Sequence, residues 1–320
     1  MRWWVGCCGL LLLSNGYAAV GQETDLDWLK TVAFAGHQTE YSGVFIYQYG
    51  NRVETSRITH LVEPDSEYER LESLDGPKRE IVRHHGRVWC YLNHKMVQID
   101  SQQGRAGFPS LFSDEFSALN GNYVMKDLGL GSVAGYNVRV LLFQPQDNLR
   151  YAHKLWVHTD TGLLLKATVL DEKKQVVEQY AFTQLKVGGD FDRPSIMSGM
   201  PVGKEDIAQS KAAMNTTVAF NSGWVADAIP VGFKKLTEVQ RPMRGKHAPV
   251  TQLVFSDGLS AISIFIEPVD ADEDDMEGLS SRGAVNLYHK VVDKYLYTVV
   301  GEVPPRTVMQ VLESIRYNGR

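Results

Sequence analysis

Beyond residue 21 the sequence holds a single cysteine, Cys90, so an exported form of the chain can make no intramolecular disulfide. Cys90 lies in "RVWCYL", a run of β-forming residues with no neighbouring base, which reads as a small buried hydrophobe rather than a reactive thiol. An excess of basic residues is also missing. Lys and Arg number 33 against 38 Asp and Glu, a net charge of −5, which argues against nucleic acid as a partner because a phosphate backbone calls for a basic face. Long apolar runs are absent but for Trp3 to Leu13, which is too short to span a bilayer core of about 30 Å. There is no Gly-x-Ser-x-Gly elbow, and Cys90 has no identifiable His and Asn partners. The chain does not read as an enzyme, and no cofactor is expected.

What is present starts with "MRWWVGCCGLLLLSNGYAAVGQ": one Arg, the short apolar run, then small residues around positions 18 to 21 that suit a signal peptidase. Residues 1–21 are read as a signal peptide. The mature chain is then expected to begin between residues 19 and 23 in the periplasm.

After the leader, "TDLDWLKTVAFAGH" opens with a Thr-x-x-Asp capping pattern and sets Leu26, Leu29, Val32 and Ala33 on one helical face. The pattern then changes. β-Branched and aromatic runs ("VFIYQY", "VETSRITHLV", "YERLESL", "REIVRHH", "RVWCYL", "MVQI") alternate with short polar turns, which favours antiparallel hairpins over crossovers. A looser segment, "DSQQGRAGFPSLFSDEFSALNGN", interrupts them as a lid or a connector. Strands resume at "YVMKDL", "YNVRVLLFQP", "YAHKLWVHT", "LLLKATVLD" and "VVEQYAFTQLKV". One long curved sheet is predicted for residues 22–194, with the helix and the middle segment as its covers. Residues 195–214 are small and polar and read as a linker. In residues 215–320, strands at "KKLTEVQRP", "TQLVFSD", "LSAISIFIEPV" and "KYLYTVVGEV" precede a helix from Pro304-Pro305 with Val308, Val311, Leu312 and Ile315 on one face, a small α+β domain.

Several motifs fail on their chemistry. "GLGSVAG" (129–135) has one residue too many for a dinucleotide fingerprint and precedes a strand where a helix is needed. "GMPVGKE" (199–205) is one residue short of a phosphate loop and has Glu205 where a hydroxyl belongs. "DADEDDMEGLSS" starts like a calcium loop, yet Asp275 replaces the turn glycine and Ser281 the bidentate Glu, so 270–278 reads as a solvated acidic loop. His153 and His158, five apart in a strand, face opposite sides, as do the adjacent His84 and His85, so no metal site is expected.

Alternation puts Phe45, Tyr47 and Tyr49 on one face of their strand and Trp89 and Tyr91 on one face of theirs. These five rings are candidates to line an apolar cavity, with ordinary core packing as the competing reading. In "LESLDGPKREIVRHHG", Asp75-Gly76 is a hairpin turn, and Lys78, Arg79 and Arg83 offer a basic rim for an acidic or phosphate-bearing partner, or simply a charged edge.

"YSGVFIYQYGNRVETSRITHLVE", "LDGPKREIVR" and "NLRYAHKLWVHTDTGLLLKATVLDEKKQVVEQYAFTQLKVG", followed by "WVADAIPVGFKKL", "QLVFSDGLSAISIFIE" and "VVGEVPPRTVMQVLESI", resemble in order the RseB/MucB family of periplasmic negative regulators of the envelope-stress sigma factor. The resemblance implies a large N-terminal unclosed antiparallel β half-barrel like those of LolA and LolB, plus a smaller C-terminal α+β domain. It implies a function too: binding the periplasmic tail of an RseA/MucA-like anti-sigma factor and shielding it from proteolysis until a lipid-like signal intervenes. Lipopolysaccharide or another acyl-chain ligand, and a homodimer, stand as further partners. A lipid or lipoprotein carrier is the alternative, against which the second domain counts, because a carrier needs only the half-barrel. An exported hydrolase is a third reading that the missing nucleophile and metal constellations disfavour.

Overall fold

The computed structural model describes residues 31–85, 87–92, 95–99, 108–110, 119, 121–197, 221–241, 248–269 and 277–319. The expected signal peptide, Leu26 and Leu29 of the first helix, most of the middle segment, most of the expected linker and residues 270–276 of the acidic loop lie outside them.

Each β-patterned run of the N-terminal part becomes a strand: β1 (Tyr41–Tyr49), β2 (Arg52–Glu63), β3 (Ser66–Ser73), β4 (Arg79–His84), β5 (Arg87–Leu92), β6 (Lys95–Ile99), β7 (Tyr123–Val133), β8 (Tyr136–Pro145), β9 (Ala152–His158), β10 (Leu164–Leu170) and β11 (Val176–Val187). They form one antiparallel sheet in the order β6-β5-β4-β3-β2-β1-β11-β10-β9-β8-β7. Two meanders, β1 to β6 and β7 to β11, are joined where the first strand meets the last, Tyr41 opposite Val187 and Tyr49 opposite Glu178. The edges β6 and β7 do not pair with each other, so the sheet is an unclosed half-barrel.

One face of this sheet carries the large core. Tyr41, Phe45, Ile58, Leu141, Leu155, Val157, Leu163, Leu165 and Phe182 pack there with Val32 and Ala33, from a helix whose described part is residues 31–38 (α1). The helical face predicted for Val32 and Ala33 is thus buried. The opposite face holds a smaller cluster of Leu61, Tyr68, Val82 and Trp89, against which Phe191 and Ile196 pack, the latter from the short helix α2 (Arg193–Met197).

The second domain is larger in strands than expected. Beside β13 (Lys234–Arg241), β14 (Val250–Ser256), β15 (Ala261–Pro268) and β18 (Tyr295–Gly301) it has β16 (Glu277–Arg282) and β17 (Val285–Val292), in the order β13-β14-β15-β18-β17-β16. The acidic stretch therefore passes into a strand at Glu277 instead of staying a loop to 278; a run of polar residues carries no alternation to announce a solvent-facing edge strand. Helix α3 (Pro305–Glu313) starts at the expected prolines and buries Val308, Val311 and Leu312. Ile315 is not on that helix. It begins β19 (Ile315–Tyr317), which pairs with β12 (Trp224–Ala226) after the helix ends at Ser314.

Candidate functional site

Where the two sheets meet, the structure builds a polar junction from short loops. Arg150, in the loop between β8 and β9, and Asp257, in the turn between β14 and β15, pair at 2.9 Å with both side chains fully withdrawn from solvent. The turn "SDGLS" shapes the carboxylate. Asp257 Oδ1 accepts the backbone N–H groups of Leu259 and Ser260 at 3.1 and 2.8 Å, leaving Oδ2 for Arg150 Nη1 and for Tyr123 Oη, which donates at 3.0 Å. The remaining guanidinium donors are also used: Nη2 donates to the Val231 carbonyl at 2.6 Å and Nε to Asp147. The rings of Tyr123 and Phe233 lie 5.6 and 5.2 Å from the guanidinium carbon. Burial pushes the Asp257 carboxyl above the ordinary range, against the backbone N–H groups and the Arg150 charge that favour its ionised form. A buried pair is tolerable only when its donors and acceptors are satisfied in this way.

A second set of contacts lies beside it. Tyr47 Oη donates to Glu178 Oε2 at 2.9 Å, and the same oxygen accepts the N–H of Ala284 at the tip of the β16–β17 hairpin at 2.9 Å. Gly283 sits at φ +58°, and any Cβ there would overlap Glu178 Oε2 and Tyr47 Oη, so only glycine fits the turn. Asn286 donates to Tyr151 Oη and to the Val303 carbonyl, and Thr307 to the Leu149 carbonyl at 2.8 Å. Arg282 reaches Glu54 at 2.8 Å and lies over the Tyr49 ring. The two sheets are therefore docked through specific hydrogen bonds.

The five candidate rings fall into two groups. Phe45, Tyr47 and Tyr49 extend a continuous aromatic row: Phe45 contacts Phe108 and Phe182, Phe108 stacks on Tyr180 at 5.5 Å, Tyr180 on Tyr47 at 4.4 Å, and Tyr47 on Tyr49 at 5.0 Å. Phe45 is 5% exposed and belongs to the core, whereas Tyr47 and Tyr49 are half-buried. Trp89 and Tyr91 do not join them. The register runs Gly43–Ile58–Leu71–Ile81–Cys90, so it is Cys90 that shares the face of Phe45, and Trp89 and Tyr91 lie on the other side with Leu61 and Tyr68. Paired residues of adjacent strands project to the same face, which within-strand alternation cannot reveal between strands. Cys90 is buried and free.

The basic rim is also divided. Lys78 and Arg79 are exposed beyond the turn at Gly76, whose φ is +71°. Arg83 is committed to a cross-strand ion pair with Glu69. His84 and His85 depart from the expected divergence: their ring centroids are 4.0 Å apart, because His85 lies just past the end of β4 at φ +48° and leaves the strand alternation. His153 packs near Tyr123 and His158 near Tyr136, at opposite ends of β9.

Residues 24–210 match the model of the MucB/RseB N-terminal domain, and residues 219–316 that of the MucB/RseB C-terminal domain. The chain belongs to the MucB/RseB family. It is 34% identical over 314 residues to the sigma factor AlgU regulatory protein MucB of Pseudomonas aeruginosa, covering 96% of each chain. It is 24% identical over 328 residues to the sigma-E factor regulatory protein RseB of Escherichia coli, covering 97% of this chain and 95% of that one. Among solved structures, the complex of Pseudomonas aeruginosa MucA and MucB matches with a TM-score of 0.70 at 31% identity, over 92% of this chain and 99% of the other. A crystal structure of MucB with MucA(peri) matches at 0.69.

Two of the stretches that carry the family likeness now have places in the fold. "LDGPKRE" is the β3–β4 hairpin, tied down by Asp75 Oδ2 accepting the Thr55 N–H at 2.6 Å. "SDGLSA" is the turn that presents Asp257 to Arg150. Neither Arg150 nor Asp257 was a candidate from sequence, since Ser-Asp-Gly ordinarily marks a solvent turn and nothing local signals that this one is covered.

Proposed function

We propose that this chain is exported to the periplasm and there binds the periplasmic tail of a MucA/RseA-like anti-sigma factor, shielding it from the protease that would begin its degradation. The supporting observation is the end-to-end match of both domains to a relative solved as a complex with MucA. The docked sheets fit this reading, since a clamp on an extended tail needs two surfaces held in fixed relation. Lys78 and Arg79 are the exposed charges of the rim, while Arg83 is paired with Glu69.

An acyl-chain amphiphile is proposed as the releasing signal, with Tyr47, Tyr49 and Phe45 as its contacts. The face is filled by rings in mutual contact, so an acyl chain enters only by displacing one, and Phe108, which touches Phe45, Tyr180 and Phe182 from outside the sheet, is the one to move. Calorimetric titration of the mature chain with a synthetic MucA-like tail tests the first part. Saturable binding is expected, and its absence rejects the reading. With a lysophospholipid present, tail affinity should fall by about 5- to 150-fold, and the tail should weaken lipid binding by the same factor, because linkage is reciprocal. Tail binding indifferent to the amphiphile leaves the shielding role and removes the sensing one.

A further inference from the structure

We propose that Glu63, His84 and His85 form a binding site for one borderline divalent transition-metal ion, with Zn²⁺ as the reference case. Among the described residues this is the one cluster in which three such side chains bring a ligand atom each within 4.8 Å of one another.

The backbone arranges it. Glu63 ends β2 and His84 ends β4, two strands apart and on the same face of the sheet, with His84 Nε2 and Glu63 Oε2 3.0 Å apart. His85 would point away if the strand continued. Instead it adopts φ +48°, a left-handed conformation uncommon for a residue with a Cβ, and its ring comes to 4.0 Å from that of His84. A carboxylate–histidine ion pair accounts for Glu63 and His84, but it leaves the third ring unexplained. Ligands around a tetrahedral Zn²⁺ at 2.0–2.2 Å are roughly 3.3 Å apart, so closing the site requires an inward shift of about 1.5 Å at most. His85 is exposed and at the strand end, free to make that shift.

The surroundings support the ligands. Ser66 Oγ donates to Glu63 Oε2 at 2.6 Å, and the Tyr68 ring meets His84 edge-on at 5.8 Å, fixing a carboxylate and an imidazole as outer-shell contacts do in metal sites. Two imidazoles and one carboxylate suit Zn²⁺, Co²⁺, Ni²⁺ or Cu²⁺ and not Ca²⁺ or Mg²⁺, which take all-oxygen ligands. Three protein ligands leave a position for water or for a donor from a partner. The ion would clip the end of β2 to the end of β4, beside the Val62 carbonyl to which Arg193 of α2 donates at 3.1 Å.

The test is titration of the mature, untagged chain with Zn²⁺ alone by calorimetry and with Co²⁺ alone by visible absorption. Binding of one ion per chain is expected, with a Co²⁺ d–d band and no competition from Ca²⁺ or Mg²⁺. His85→Gln should weaken it at least about tenfold, the lower end of what the loss of a supporting contact already costs, while leaving the circular-dichroism melt without metal unchanged. His84→Gln should weaken it as much, with a lowered metal-free melt from the loss of its pair with Glu63. His37→Gln, at the separate contact with Glu67, should leave Zn²⁺ affinity intact. A folded His85→Gln chain that binds Zn²⁺ as the parent does, a loss of binding in His37→Gln, or no binding by the parent chain overturns the proposal.

Discussion

Between β7 and β11 the first sheet buries Leu141, Leu155, Val157, Leu163, Leu164 and Leu165 at 1% exposure or less, and the same strands and loops supply Tyr123, Arg150 and Glu178 to the junction with the second domain. From β2 to β5 the apolar cluster of Leu61, Tyr68, Val82 and Trp89 is smaller, and charged and titratable pairs add cross-strand contacts to it: Glu69 with Arg83, Glu80 with Arg70, Glu63 with His84 and Glu67 with His60. Apolar burial is non-directional and insensitive to pH, so the first half is a fixed base on which a second domain can be docked. Glu63, held below the ordinary carboxylate range by hydrogen bonds from Ser66 and His84, and Glu67, held there against its burial by those from His37 and His60, make part of the second half's cohesion depend on pH. That division separates the part of the sheet held by buried apolar side chains from the part that also carries titratable pairs.

The most disruptive way to break the comparison is to attack the fixed half at its polar joint. Arg150→Met leaves Asp257 buried without its cation and is expected to cost about 3–5 kcal/mol. Urea unfolding together with limited proteolysis should show it, through faster cleavage in the expected linker, residues 195–214, that frees a larger N-terminal and a smaller C-terminal fragment. Adding Asp257→Leu should restore part of the loss; a single variant as stable and as resistant as the parent would show that the joint is dispensable.

Gly283→Ala comes next. Its Cβ has no room beside Glu178 and Tyr47, and φ +58° is strained for alanine, for a loss of about 1–3 kcal/mol by chemical denaturation. An unchanged midpoint would mean that the hairpin can move away from the first sheet at no cost.

Arg83→Ala in the charged half should cost at most about 1 kcal/mol, since this cross-strand pair is part-exposed. A loss as large as that of Arg150→Met would erase the distinction between the halves.

The smallest effect sharpens the contrast through pH. Burial works to raise the Glu67 pKa, but hydrogen bonds from His37 and His60 outweigh it and bring it from 4.5 down to about 2. A depressed carboxylate stabilises the folded state fully above its unfolded pKa and loses that contribution as pH falls through the folded one. The parent should therefore lose stability between about pH 4.5 and pH 2, and Glu67→Gln should show a shallower acid slope over that window. Equal slopes would remove Glu67 from the account.

Much of this molecule is local in origin, and the sequence by itself determined it. Period-2 alternation and short polar turns specify the eleven strands of the first sheet and the antiparallel hairpins within each meander, whereas the β1–β11 pairing that joins the meanders is long-range. The Pro304-Pro305 start and the spacing of Val308, Val311 and Leu312 specify α3, and the ordered stretches from "YSGVFIYQY" to "VLESI" specify the family. Tertiary structure alone decided what depends on residues far apart in the chain. That Trp89 and Tyr91 turn away from Phe45 is fixed by register across five strands. That Ile315 leaves α3 is fixed by pairing with Trp224–Ala226, about ninety residues earlier. That His85 folds back on His84 is set by a single backbone angle at a strand end, where alternation stops applying. Arg150 and Asp257 are 107 residues apart, and each looks locally like a solvent-facing turn residue. Burial is a property of what covers a side chain, and only the docking of the second sheet supplies that cover.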